Sequence, residues 1–170
     1  MLDRLRRLFS RSQEPPPLAD VTLRPIGIVR NRIKEPMSGG WDEVTSRIVL
    51  RPELAQALLG LDTYSHIFVL FWPHQIPDEV RGSKPQLHPL DDEVNPLQGV
   101  LATRSQIRFN PILVSAVPLQ KVEKNVLHVR GLDAVDGSPV LDVKPYVAYF
   151  DCIAEAKVPK WVEERAARQT

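Results

Sequence analysis

One cysteine, Cys152, is all the thiol the chain has. It cannot form an internal disulfide, which suits a reducing compartment and makes the cytoplasm the expected location. Nor can it supply a CxxC pair, and His66, His74, His88 and His128 are scattered, so neither a structural zinc nor any other metal site is expected. The 8 glycines form no G-x-G-x-x-G, no phosphate-binding glycine loop and no G-x-S-x-G elbow, and H-E-x-x-H is missing too. A Rossmann cofactor site is thereby excluded, as is a metalloprotease helix. No apolar stretch approaches the roughly 18 residues that a membrane span needs, so stable membrane insertion is not expected. With 22 basic against 21 acidic residues the net charge is +1. No field of one sign dominates, and a nucleic-acid partner would have to be met by a local basic patch or by one assembled across subunits.

What is present fits one globular unit. A chain of 170 residues, 43% hydrophobic and 25% charged, can bury a single good core. It divides into a basic, proline-rich extension (1–20), a main domain (21–154) and a carboxy-terminal helix or tail (155–170). In the extension, Leu2, Leu5, Leu8 and Phe9 recur at helical spacing among four arginines before Pro15-Pro16-Pro17. A short amphipathic helix for a membrane surface or nucleic acid, a dimer contact and a frayed tail are all compatible with that pattern. The tail is the simplest, because so short a helix is marginal alone.

From Leu23 onward the chain reads as strands. "IGIVRNRI", "SRIVL", "SHIFVLFW", "GVLAT", "ILVSAVPL", "VLHVRGL" and "VLDVKPYVAYF" are rich in β-branched and aromatic residues and bounded by turn formers. "RPELAQALLGL" reads as a helix, with Pro52 in its first turn and Gly60 as its stop, and a second helix is expected at "PKWVEERAARQ". Without strand–helix alternation, a doubly wound parallel sheet is disfavoured. The expected fold is mainly β: a small closed or partly open β-barrel with one or two short peripheral helices. The long polar, proline-rich stretch from His74 to Gly99 exceeds an ordinary connection, which points to function or disorder.

Two segments concentrate chemistry. In "ATRSQIRFNPILVS" (102–115), Arg104 and Arg108 flank Ser105, Gln106 and Ile107, so a turn could aim two planar guanidiniums into one concavity suited to a carboxylate or phosphate. Asn110-Pro111 fixes the exit of that turn. In "GLDAVDGSPVLDVKPY" (131–146), Asp136-Gly137 reads as a turn, and Asp142, Lys144 and Tyr146 share one side of a strand by alternation. Val140, Val143 and Val147 do not all fall on the opposite side, so that alternation is partial. These three groups suit either a surface ladder or the wall of a site. Ser65 and His66 are neighbours on an expected strand and should point to opposite faces, a poor arrangement for a nucleophile and its base.

Together with "PIGIVRN" and "LGLDTYSHIFVLFWPH", these segments resemble the TsaA-like family, whose characterised branch, TrmO, methylates N6-threonylcarbamoyladenosine beside the tRNA anticodon. The family pattern runs approximately ATRSPFRPNPIGLS and then DGTPVLDIKPY, against "ATRSQIRFNPILVS" and "DGSPVLDVKPY" in this chain. The resemblance covers the chain from Leu23 to Asp151. It implies a small β-barrel, normally a homodimer, that binds S-adenosyl-L-methionine without a Rossmann fold. Carried onto matching positions, it implies a pocket with Arg104, Ser105, Arg108, Asn110 and Pro111 on one wall. Asp136, Pro139, Leu141, Asp142, Lys144 and Tyr146 would stand opposite, and His74 would face the same pocket. Gln106, Ile107 and Phe109 replace Pro, Phe and Pro of the family pattern, while Leu113 and Val114 replace Gly and Leu. The segments "EPMSGGWDEV" and "SKPQLHPLDD" also depart from it where substrate would be read.

The implied function is therefore an S-adenosylmethionine-dependent methyltransferase acting on modified adenosine in tRNA. An exocyclic nitrogen attacks well only once its proton can leave, so Asp142 and Tyr146 are the candidate catalytic acceptors. Arg104 and Arg108 suit either the methionine carboxylate or RNA phosphates. A methyltransferase with a small-molecule or protein substrate, and a non-catalytic S-adenosylmethionine-binding dimeric module, are the alternatives.

Overall fold

The computed structural model describes residues 18–169. The amphipathic pattern in the first seventeen residues lies outside them. Eight strands form: β1 (Gly27–Arg30), β2 (Thr45–Leu50), β3 (His66–Phe71), β4 (Gln86–Leu87), β5 (Gln98–Gly99), β6 (Leu113–Glu123), β7 (Val126–Arg130) and β8 (Pro139–Pro145). Six of them close into a barrel in the order β1-β2-β7-β6-β3-β8, with β8 returning to β1, and every pairing is antiparallel. Closure leaves no barrel edge to template another chain. β4 and β5 make a separate two-stranded ribbon within the long connection from β3 to β6.

Alternation sorts the barrel residues. Ser46, Ile48 and Leu50 of β2 and Ile67, Val69 and Phe71 of β3 are buried, while Thr45, Arg47, His66, Phe68 and Leu70 turn outward. Val29, Val117, Leu127, Val129 and Val140 complete the core with Leu132, Ala134 and Leu58. Buried Ser46 is satisfied by the Asn31 side chain, whose Nδ2 donates to its hydroxyl at 2.9 Å and to the Ala134 carbonyl at 2.8 Å.

Two irregularities shape the wall. β6 pairs with β3 up to Pro118 and with β7 from Leu119 onward. The proline, which has no N–H to give, marks this change of partner. Between β3 and β8 the register moves from Leu70↔Asp142 to Phe71↔Val140, leaving Leu141 as a bulge. The extra residue turns both Val140 and Val143 toward the core and explains the imperfect alternation along "VLDVKPY".

Three expectations are corrected. "RPELAQALLGL" winds as 3-10 turns over Pro52–Leu58, burying only Leu58, before Gly60 at φ 83° ends it. With so narrow an apolar face, nothing holds a full α-helix. "GVLAT" supplies only the end of β5 and a 3-10 turn at Val100–Ala102, where Thr103 Oγ1 donates to the Val100 carbonyl. Ser65 precedes β3 and so escapes strand alternation, and its hydroxyl lies 2.9 Å from His66 Nδ1 on an exposed surface. The terminal segment forms the helix α2 (Lys160–Gln169), after a single turn α1 (Ala148–Asp151) that follows β8.

Candidate functional site

β1, β3 and β7 end where β2, β6 and β8 begin, so the loops after Arg30, Phe71 and Arg130 crowd one mouth of the barrel. There they enclose a cavity of about 880 Å³, within the size range of ligand pockets. Its floor is Phe71, Leu113, Ala134, Val135 and Ser138, and its walls include Met37 and Trp41 from the β1–β2 loop and His88, Leu90 and Asp91 from the β3–β6 connection. The segment Leu101–Ile107 supplies another wall, and Trp161, Val162 and Arg165 of α2 close one side.

The arginine segment is wired to itself. The Ser105 N–H donates to Thr103 Oγ1 at 3.2 Å, and the Ile107 N–H donates to the Ser105 hydroxyl at 3.1 Å, a local turn held by short side chains. Arg104 leaves this turn toward the barrel, where its Nη2 donates to the Val114 carbonyl at 2.5 Å. Arg108 folds back instead, its Nη2 3.5 Å from the Thr103 carbonyl. Arg104 and Ser105 line the cavity, whereas Arg108, Asn110 and Pro111 are not among its lining residues. Pro111 is buried, Asn110 is exposed, and the Asn110 carbonyl accepts the Ile112 N–H at 2.7 Å.

The second segment is divided by the fold. Asp136-Gly137 makes the turn at the barrel mouth, with Gly137 at φ 87°. His74 packs there: a side chain at 137 would meet its ring at 3.4 Å. The Lys34 ammonium, 2.7 Å away, together with the Asn31 N–H at 3.1 Å and the nearby Arg30, holds the Asp136 carboxyl below the usual carboxylate range despite partial burial. Asp142, Lys144 and Tyr146 continue down the outer wall. Lys144 pairs with Asp142 at 2.7 Å, and the Tyr146 ring lies 5.3 Å from Phe68 and 6.4 Å from His66. None of Asp136, Pro139, Leu141, Asp142, Lys144, Tyr146 or His74 lines the cavity. Arg104 nevertheless connects the two places, since Val114 is opposite Leu70 and Leu70 is opposite Asp142.

Three residues here escape sequence reasoning. His88 is anchored through Nδ1 to the Asn95 carbonyl at 2.7 Å; a carbonyl only accepts, so Nδ1 carries the proton and neutral His88 keeps a lone pair on Nε2. Trp41 and Trp161 bring aromatic faces from opposite ends of the chain. The Trp161 side chain lines the cavity, while its indole N–H is buried without a hydrogen-bond partner among the described residues. Leu90 and Asp91 take positive φ of 67° and 54°, backbone strain located on the cavity rim. Among the described residues no three His, Cys, Asp or Glu side chains gather as a metal site.

Comparison with known proteins adds to this geometry. Residues 29–152 match the family of the tRNA-methyltransferase O N-terminal domain. An S-adenosyl-L-methionine-binding protein of Archaeoglobus fulgidus is 36% identical over 135 residues, covering 77% of this chain and 93% of the relative. The tRNA (adenine(37)-N6)-methyltransferase of Escherichia coli is 34% identical over 142 residues, covering 77% of this chain and 60% of the enzyme. The crystal structure of TrmO from Pseudomonas aeruginosa superposes with a TM-score of 0.69 at 32% identity, covering 86% of this chain and 64% of that one. The chain spans 38% of the length of a second Archaeoglobus fulgidus relative, 36% identical over 148 residues.

Proposed function

The chain belongs to the tRNA-methyltransferase O family, and we propose that it is an S-adenosylmethionine-dependent methyltransferase acting on the N6 position of threonylcarbamoyladenosine 37 in tRNA, the Escherichia coli relative being a tRNA (adenine(37)-N6)-methyltransferase. The observation that carries this reading is the meeting, in one cavity of about 880 Å³, of Arg104 and Ser105 with two tryptophans and an anchored histidine.

The residues fit the cofactor. The Arg104 guanidinium suits a methionine carboxylate, with Ser105 beside it as a polar contact. The faces of Trp41 and Trp161 suit an adenine and a neighbouring cation. Bound there, S-adenosylmethionine supplies a methyl group activated by its sulfonium. The chain's own part is position and electrostatics. The apolar walls exclude water, Arg104 and Ser105 fix one end, and a proton acceptor receives the hydrogen that the acceptor nitrogen must lose. His88 Nε2 is the acceptor we favour within the cavity. Asp142 and Tyr146 are the alternative, reached across the outer wall past Leu70 and Val114 from Arg104.

The same wall supports a homodimer. Phe68 and Leu70 lie on it beside Val114, and exposed Tyr149, Phe150 and Ile153 follow directly after Tyr146. Exposed apolar residues in such number mark an association face. A second copy there would cover Asp142, Lys144 and Tyr146, and with them the remaining motif positions Pro139 and Leu141. Arg108, Asn110 and Pro111 act by holding the loop that presents Arg104, and His74 and Asp136 by shaping the mouth. The cytoplasm is the proposed location, consistent with a tRNA substrate; among the described residues no helix is long and apolar enough to cross a membrane.

A second reading rests on the net charge of +1 and on the altered segments around Trp41 and His88: the same cofactor chemistry on a small molecule or protein, or binding without catalysis. Incubation with methyl-labelled S-adenosylmethionine separates them. Label in tRNA supports the first reading, label in another acceptor the second, and saturable binding without transfer a binding module.

A further inference from the structure

A row of basic side chains crosses the outside of the barrel away from the cavity. Arg30 on β1 is directly opposite Arg47 on β2, Arg47 is opposite His128 on β7, and His128 is opposite Lys121 on β6. Arg47 and Arg30 point outward by the alternation that sends Ser46, Ile48 and Val29 inward. With neighbouring strands about 4.8 Å apart, the four positions span about 14 Å in a line.

Three of the four have a carboxylate beside them and Arg47 does not. Asp136 pairs with Arg30 at 3.7 Å and with Lys34 at 2.7 Å. Glu123 pairs with Lys121 at 3.0 Å and lies 3.6 Å from His128. Arg47, flanked by an arginine on one side and a histidine on the other, has no carboxylate within ion-pair distance among the described residues. Like charges directly opposite on a sheet cost stability, and the solvent side of a barrel strand has no need of an arginine at that register. The centre of the row also borders a shallow hollow of about 510 Å³, shared by Asn31, Lys34 and Thr45, that has no lining residue in common with the cavity.

We infer that the outer face of β1, β2 and β7, centred on Arg47, is a track for the phosphate backbone of the RNA substrate. A linear row of guanidinium, imidazole and ammonium groups fits a linear polyanion better than a single small anion. Asp136 gains a role here. By anchoring Arg30 and Lys34 beside the mouth, it sets the row at a fixed place relative to the cavity, where a backbone held on the face can deliver its base. The inference rests on the tRNA reading of the cavity.

The test is Arg47→Ala in the full chain, with Arg24→Ala, ahead of the far end of β1, as the control for net charge. Affinity for bulk tRNA is measured across a salt series, and S-adenosylmethionine affinity by calorimetry. Expected for Arg47→Ala is a loss of about tenfold in tRNA affinity at 0.1 M salt, and a slope of log K against log salt shallower by about one unit. Cofactor affinity and melting temperature hold or, for the latter, rise as the Arg30–Arg47 repulsion is relieved. Arg24→Ala matches wild type. Unchanged tRNA affinity and slope in Arg47→Ala, or an equal loss in Arg24→Ala, overturns this surface and leaves the methyltransferase reading standing. Wild-type protein with no salt-dependent affinity for tRNA overturns both.

Discussion

The Arg104 guanidinium donates to the Val114 carbonyl at 2.5 Å, tying the arginine-rich loop to β6 at the point where the cavity meets the outer wall of the barrel. One side chain thus serves the loop's position and presents a cation to the cavity. Arg104→Ala is expected to weaken S-adenosylmethionine binding about 10- to 100-fold, the range of a lost charge-assisted hydrogen bond. Its melting temperature should fall by only a few degrees. Arg108→Ala, which releases only the Thr103 carbonyl, should weaken binding less. Equal cofactor affinity in Arg104→Ala and wild type, by calorimetry, removes Arg104 from the cofactor site.

Trp161 gives an optical readout of the cavity. Its side chain lines the cavity, so a ligand bound beside the ring should change its emission. S-adenosylhomocysteine is expected to alter tryptophan fluorescence in wild type and much less in Trp161→Phe, with affinity reduced a few-fold. An identical signal change in the variant would place the ligand away from α2.

His88 and Asp142 are the two proposed proton acceptors. If His88 accepts it, His88→Asn lowers the single-turnover methylation rate by about 10²-fold or more while cofactor affinity is kept, and Asp142→Asn does not. The reverse pattern assigns the acceptor to the outer wall. Because Asp142 is paired with Lys144, a Lys144→Met control distinguishes loss of that ion pair from loss of the base.

How much of this was legible in the sequence follows from where the information sits. The barrel strands could be read because burying one face imposes alternation on contiguous residues, as in "SRIVL" and "SHIFVLF". The bulge at Leu141 could not, since an extra residue is defined only against its partner strand, and it alone reconciles the outward Asp142 with the inward Val140 and Val143. "RPELAQALLGL" carried helix propensity without a wide apolar face, and propensity alone yielded 3-10 turns. Arg104 and Ser105 were visible as a compact motif. Trp41, His88 and Trp161 come from three distant segments, and only tertiary folding gathers them.

Acid sensitivity should concentrate at Asp136. Its carboxyl is held below the ordinary value, chiefly by the Lys34 ammonium and next by the Asn31 N–H, so folding favours the ionised form. The stability it contributes is complete above about pH 4, the unfolded value, and is lost as pH falls through the lower folded value. Asp136→Asn is expected to lower the melting temperature by about 2–4 °C at neutral pH. Between pH 4 and pH 2 the difference from wild type should shrink. A difference that persists unchanged to pH 2 would mean that charge is not what Asp136 contributes.

The apolar outer wall makes oligomeric state testable. Phe150→Asp, at a residue 68% exposed, should leave the fold intact by circular dichroism and convert a dimer to a monomer in light scattering. A wild-type protein that scatters as a monomer at micromolar concentration contradicts the proposed face.

A single-turnover assay decides which nucleoside takes the methyl group. Excess protein loaded with methyl-labelled S-adenosylmethionine is mixed with tRNA carrying threonylcarbamoyladenosine at position 37, the position named for the Escherichia coli relative, and with the same tRNA lacking that modification. One methyl group per modified tRNA is expected, located at N6 of that nucleoside by mass spectrometry, and none on the unmodified RNA. Saturable cofactor binding with no methyl transfer to either RNA would contradict it.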